Sequence, residues 1–464
     1  MDAVDLAFTS ALEQARLIRH KEISPLELTE LYLARIEQLN PRLGAFFTVM
    51  SDRALDDAAA KTEQLVTETN LPPLFGVPIS IKDLTPVADV PCSYGVKILR
   101  NRIDAEAGVV TRIREAGCIL LGKTATSQLG STPFTEPNGF PPARNPWNLD
   151  YTPGGSSGGA AAAVAAGLGA IAHGSDGGGS IRGPAFCCGL VGIKPARGRV
   201  SHAPVGDKLS GLATDGALAR TVADAAVLLD VMAGYQLGDP YWLPAPESSF
   251  LSAAERFPQP LRIGFATEIT PIGAFDPVCT QAVQETVQLL EQLGHIVEPI
   301  ALDFSDLMEP LIAVWQAGVD VGVPSIFLEK LNRWLRGRSR SRSGGMYLRA
   351  VMKMQAAARQ IVTQLDTVDV LVLTPFLHHT IRVGAWAKLR PKQAFEKIVN
   401  WVAPSPPFNA TGQPAIAIPT GFASNNLPVG VQLVGRPADE ATLISLAAQI
   451  EAARPWQQHR PPLD

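Results

Sequence analysis

Residues 154 to 184 read GGSSGGAAAAVAAGLGAIAHGSDGGGSIRGP, two serine-bearing glycine clusters joined by a run of very small side chains. Few structural roles need that composition. Glycine loses more conformational freedom on folding than any other residue, so a dense cluster implies tight turns or a ligand approaching the backbone closely. Ala160 to Ala172 is apolar on all sides, which predicts a buried helix pressed against neighbouring layers. Its ends would carry Ser156 and Ser180, and the Gly-rich turn at 174–179 would let the chain fold back to bring the two serines together.

The rest of the chain surrounds this stretch with an ordinary globular composition. Of 464 residues, 46% are hydrophobic and 18% charged, enough to bury a large core. A net charge of -4 creates no overall field toward nucleic acid or membrane. The start, Met1-Asp-Ala-Val-Asp-Leu6, lacks the basic segment and apolar core of a signal peptide, and no apolar run is long enough to span a bilayer. The expected location is cytoplasmic. Cys92, Cys118, Cys187, Cys188 and Cys279 are odd in number and lack CxxC spacing, which speaks for buried free thiols rather than disulfides or a zinc site.

Ser24-Pro25-Leu26-Glu27 is a capping box with proline at the first helical position, followed by Leu28, Leu31, Tyr32, Ile36 and Leu39 at helical spacing. A helix around 6–19 precedes it. Phe75 to Leu84 predicts a short strand carrying Lys82, and on the residues alone such a lysine reads as one that snorkels to the surface. Residues 107–116 predict a helix and 118–122 a strand. Residues 261–266, 277–293 and 295–300 predict a strand, helix, strand unit of the kind that builds a parallel sheet. Short strands follow at 368–374, 415–418 and 429–434, the last two pairing around Asn425-Asn426.

Three motifs offer rival chemistry. Gly117 to Thr124 matches the phosphate-binding pattern GxxxxGK[ST], but its variable residues Cys118-Ile-Leu-Leu121 are themselves the apolar strand, where that motif needs a loop. Gly154 to Gly159 matches GxSxG twice, with His378 and His379 downstream. That motif needs a buried strand before it, and 131–153 is a proline-broken loop. Arg333, Arg336, Arg338, Arg340 and Arg342 lack interleaved aromatics beyond Trp334 and read as a solvated, mobile loop rather than a nucleic-acid patch.

Gly154 to Gly159, Gly174 to Pro184, Cys188-Gly-Leu-Val-Gly-Ile-Lys-Pro195 and Gly198-Arg-Val-Ser201 together resemble the signature of the amidase signature family. Gly76-Val-Pro-Ile-Ser-Ile-Lys82-Asp83 resembles that family's lysine motif. The resemblance implies an α/β fold with a central mixed sheet covered by helices on both faces. It also implies Ser180 as nucleophile, Lys82 as base and then acid, and Ser156 as the relay between them, with the Gly155–Ser156 peptide cis. It reverses the surface reading of Lys82, whose flanks Val77, Ile79 and Ile81 would lower its proton affinity by desolvation. Gly177, Gly178 and Gly179 become the expected oxyanion hole, and Ser157 and Gly183 the expected substrate contacts.

Two positions depart from the family's pattern. Gly177 stands where a hydroxyl-bearing or branched residue is usual. Gly183 stands where amidotransferase A subunits tend to carry Gln and some members acting on carboxylate-bearing amides carry Arg. Thr135-Glu-Pro137, Ala143 to Leu149 and Phe408 to Pro414 are similar to members that open cyclic amides such as the 6-aminohexanoate cyclic dimer. The expected protein is thus a single amidase domain over 1–464. It comprises N-terminal helices at about 5–70, a catalytic core at about 71–235 and 355–464, and a variable substrate-side region at about 236–350. It would act on a small-molecule amide without metal, cofactor, nucleic acid or membrane, and a homodimer is the assembly kept open. The A subunit of a glutamine-dependent tRNA amidotransferase and a silent scaffold are the alternatives.

Overall fold

A computed structural model describes residues 2–99, 103 and 105–463. Among these, eleven strands form one mixed sheet. They are β1 (Phe46–Val49), β2 (Pro78–Lys82), β3 (Ile119–Thr124), β4 (Ile171–Asp176), β5 (Val191–Lys194), β6 (Thr214–Ala219), β7 (Arg262–Phe265), β10 (Ile296–Pro299), β11 (Val370–Leu373), β12 (Ala415–Phe422) and β13 (Pro428–Gly435). A separate antiparallel ribbon joins β8 (Glu268–Ile269) to β9 (Gly273–Ala274). The sheet order is β1-β3-β2-β4-β6-β5-β12-β13-β11-β7-β10.

Alternation along the strands sorts the core into two layers. Ile171, Ala217, Ala219, Val370, Val372, Ile416 and Ile418 join one buried cluster, with helices Val222–Met232 and Glu440–Ala453. Their neighbours Ala172, Leu218, Leu371, Leu373, Ala415 and Ala417 join the other, with helices Gly158–Ala165, Arg182–Cys188 and Gly344–Leu365. A residue period of two therefore buries both sheet faces under helices, as a mixed α/β fold requires. β2 sits between β3 and β4, parallel to both, and all five of its residues are buried. Lys82, its last residue, is accordingly 0% exposed.

Several sequence expectations hold. Ser24 and Glu27 cap helix Pro25–Leu43 reciprocally, β7 and β10 run parallel around helix Pro277–Gln292, and β12 pairs antiparallel with β13. Gly117 to Thr124 enters β3 directly, leaving no phosphate-binding loop, and no helix or named strand interrupts 131–153. All five cysteines are buried and free. No helix of the described residues is long and apolar enough to cross a membrane.

Two expectations are corrected. The small-residue helix ends at Ala165, because Gly167 takes a left-handed φ of 65° that closes the last turn, and 171–176 is strand β4. The helix thus leads away from Ser156 and the strand returns beside it. The arginine-rich segment is helix Lys330–Arg340 rather than a loop. Leu331, Trp334 and Leu335, at helical spacing, pack it against Trp315 and Phe395. Arg336 donates to the Val323 carbonyl, Arg340 pairs with Asp320, and Arg342 donates to Gln316.

Candidate active site

Lys82 closes β2 with its side chain wholly inside the protein. Its Nζ lies 2.7 Å from Ser156 Oγ, and 3.0 Å from both the carbonyl oxygen and Oγ of Ser175. Burial lowers its proton affinity, Asp176 and Asp215 raise it, Lys208 lowers it again, and the balance brings the pKa down to about 7. The geometry suits a neutral amine: two N–H groups can reach Ser175, and the lone pair can accept the Ser156 hydroxyl proton. The Gly155–Ser156 peptide is cis. Gly130 of the neighbouring turn rests against Ser156, whose Oγ is 3.4 Å from where a Cβ at 130 would stand.

Ser180 follows β4 at the start of helix Arg182–Cys188, and its carbonyl accepts the Ser157 N–H at 3.2 Å, which ties the two serine clusters together. The loop between them is built on Asp176. Its Oδ1 accepts from the Gly179 N–H at 2.7 Å and its Oδ2 from the Ile181 N–H at 3.1 Å, so one carboxylate gathers the chain around Ser180. Arg182 grips the same carboxylate through Nε and Nη2, both at 3.0 Å, and spends its remaining donors on Ser405, Gln432 and Asn409. Burial alone would push the Asp176 carboxyl up, but this guanidinium holds it well below the usual carboxylate range. Removing one partner of such a fully buried pair typically costs about 3–5 kcal/mol.

Ser180 lines a cavity open to the surface. Its walls come from several segments: residues 129–133, Gly155, Gly177 to Ser180, Leu209 and Leu212, four residues between 311 and 319, and Phe376, Val402 and Pro406. Among the described residues, no charged side chain lines it. Only one stretch of the wall, Leu311 to Val319, belongs to the variable region expected to cover the substrate.

The sequence-expected residues separate here into those the fold gathers and those it does not. Lys82 and Ser156 are in hydrogen-bonding contact, and Ser180 and Gly155 line the cavity. Gly177, Gly178 and Gly179 also line it, and the Gly179 amide is committed to Asp176. Ser157 is fully buried and absent from the wall; its Oγ donates to the Ser175 carbonyl and accepts from the Ser175 N–H. Gly183 is not in the wall either, because Phe376 fills the space that a side chain there would enter. The sequence reading missed Ser175, Asp176, Arg182 and Asn409. An acidic residue within a glycine run, six positions before an arginine, was the available signal.

The family model described as Amidase matches residues 27–444. A Synechocystis sp. protein named "Putative amidase" is 49% identical over 461 residues, covering 98% of this chain and 90% of that protein. The 6-aminohexanoate-cyclic-dimer hydrolase of Paenarthrobacter ureafaciens is 36% identical over 496 residues, covering 100% and 98%. A solved structure of 6-aminohexanoate cyclic dimer hydrolase superimposes with a TM-score of 0.90 at 32% identity, over 98% of this chain and 99% of that one. A near full-length family match, relatives of this identity and a shared mixed sheet lead to one conclusion: this chain belongs to the amidase signature family and is an amidohydrolase acting on amide carbon–nitrogen bonds.

Proposed function

We propose that the enzyme hydrolyses a neutral amide, linear or cyclic, through an acyl-enzyme on Ser180. The observation that carries this reading is the buried Lys82 amine 2.7 Å from Ser156 Oγ, with Gly155, the residue before Ser156, lining the same cavity as Ser180. As a free amine, Lys82 takes the Ser156 proton while Ser156 takes that of Ser180, and the Ser180 oxygen attacks the amide carbon. The amides of Gly177, Gly178 and Ser180 receive the negative charge that develops on the carbonyl oxygen. The proton then returns through Ser156 to the departing nitrogen, and the carbon–nitrogen bond breaks. Water repeats the sequence on the ester, releasing the acid and restoring Ser180.

A pKa of about 7 for Lys82 gives kcat/KM an acidic limb, with activity rising as the amine loses its proton through that pH. Lys82→Ala is expected to lower amide turnover by about 10²- to 10⁴-fold, the usual effect of losing a general base. A serine-directed phosphonate is expected to add a single adduct that peptide mapping places on Ser180. Label on Ser156 or Ser157, or near-normal amide turnover without Lys82, refutes the assignment. Hydrolysis of a simple amide by the purified chain distinguishes a free amidase from a subunit that needs partner chains.

A further inference from the structure

One buried charge cluster lies beside the site and has no part in the mechanism above. Asp215, on β6, stands opposite Ser175 in the β4–β6 register and is 1% exposed. Three basic side chains converge on its carboxylate. His173 Nε2, from β4, is 3.2 Å from Oδ1; His202 Nδ1 and Lys208 Nζ are 3.2 Å and 3.1 Å from Oδ2. His202 and Lys208 belong to the segment linking β5 to β6, and the same segment sends Leu209 and Leu212 into the cavity wall. Leu209 packs so closely on Gly318 that its Cδ1 is 2.3 Å from where a Cβ there would stand.

We propose that Lys208 is a positioning residue for the amidase reaction: its ion pair with Asp215 seats the Leu209–Leu212 wall on the acyl cavity and balances the negative charge that Asp215 places near Lys82. The inference rests on Lys82 as the base. Asp176 and Asp215 both favour a charged Lys82, and Lys208 opposes them. Asp176 is already held by Arg182, with Lys194 nearby, and Asp83, next to Lys82, is held by Lys123 at 2.9 Å. Asp215 depends on His173, His202 and Lys208, and burial holds His173 toward its neutral form. Lys208 is the partner directly next to Leu209 of the cavity wall. Seating the wall therefore also brings up the cation that helps keep Lys82 an unprotonated base.

The sign of the effect is fixed. Without the Lys208 charge, Asp215 is less balanced, Lys82 holds its proton to higher pH, and the acidic limb of kcat/KM moves up. Without the Asp215 charge the limb moves down. The test is the pH profile of kcat and KM on one neutral amide for wild type, K208Q, K208R and D215N. K208Q is expected to raise KM and to displace the limb upward by about half a unit, a roughly threefold loss below the limb that disappears on the alkaline plateau. K208R is expected to restore the limb, and D215N, where it folds, to displace it the other way. A limb that K208Q leaves in place refutes the inference, even if KM rises, because a purely structural contact would do that much. A wild-type enzyme that hydrolyses amides with no limb near pH 7 refutes the role of Lys82, and the inference with it.

Discussion

Single residues decide how the core beside the cavity packs, and position 183 shows how. A side chain there looks, from its place three residues beyond Ser180, like a contact for the acyl group. A Cβ on Gly183 would instead lie 2.2 Å from Phe376 Cζ. Phe376 cannot retreat easily, being 1% exposed with Trp401 at a ring-centroid distance of 4.2 Å and Phe186 at 5.9 Å. Gly183→Ala is therefore expected to cost about 1–3 kcal/mol, the usual range for overpacking a filled core, measured as a lower denaturant midpoint. Adding Phe376→Leu is expected to recover part of that loss, and an alanine variant as stable as wild type would show that the ring moves freely. Distance along the chain from the nucleophile was legible; the ring that fills this space arrives from residue 376 and was not.

At the scale of elements, the wall beside Ser156 depends on a helix remote in sequence. The turn Gln128–Gly130 holds Leu129 at a φ of 55°, a conformation a leucine keeps only when its surroundings enforce it. Asn332, fully buried on helix Lys330–Arg340, supplies that enforcement. Its Nδ2 donates to Gln128 Oε1 at 2.9 Å and to the Gln128 carbonyl at 3.3 Å, and its Oδ1 accepts from Ser131 Oγ at 2.7 Å. Asn332→Leu is expected to raise KM for amides and to lower stability by about 1–3 kcal/mol for each buried polar group left unpaired. Unchanged KM in that variant would mean that the turn holds its shape unaided. This helix also marks where the sequence reading was weakest. Its arginines suggested a solvated loop, although Leu331, Trp334 and Leu335 already had helical spacing. The reading succeeded where pattern and context agreed, as in the apolar strand around Lys82 and the β7–β10 unit. It ran the Ala160–Ala172 helix through Gly167 because small residues alone do not announce where a helix stops.

For the molecule as a whole, specificity follows from how widely separated segments enclose one space. Leu129, Leu209, Leu212, Leu311, Trp315, Val319, Phe376 and Val402 make the walls apolar, and the polar lining is confined to hydroxyls and backbone. Trp315 turns its indole N–H away to the Ser131 carbonyl, at 3.2 Å. Three arginines of the 333–342 cluster, Arg336, Arg340 and Arg342, are spent on Val323, Asp320 and Gln316, and Arg333 and Arg338 are exposed. Glutamine, asparagine and malonamate each carry at least one charged group, and burying it here without a partner costs far more than the apolar remainder returns. Amides with uncharged acyl groups are accordingly expected to exceed all three in kcat/KM by at least about tenfold, equivalent to roughly 1.4 kcal/mol. Competition in one reaction mixture, read by acid and amine release, measures the ratio directly. Placing a cation in the wall, as in Leu311→Arg, is expected to narrow it, since a guanidinium can hold a carboxylate through two hydrogen bonds. Should glutamine prove the best substrate of the wild-type enzyme, the apolar wall is not where the acyl group binds, and the free-amidase reading yields to the amidotransferase one.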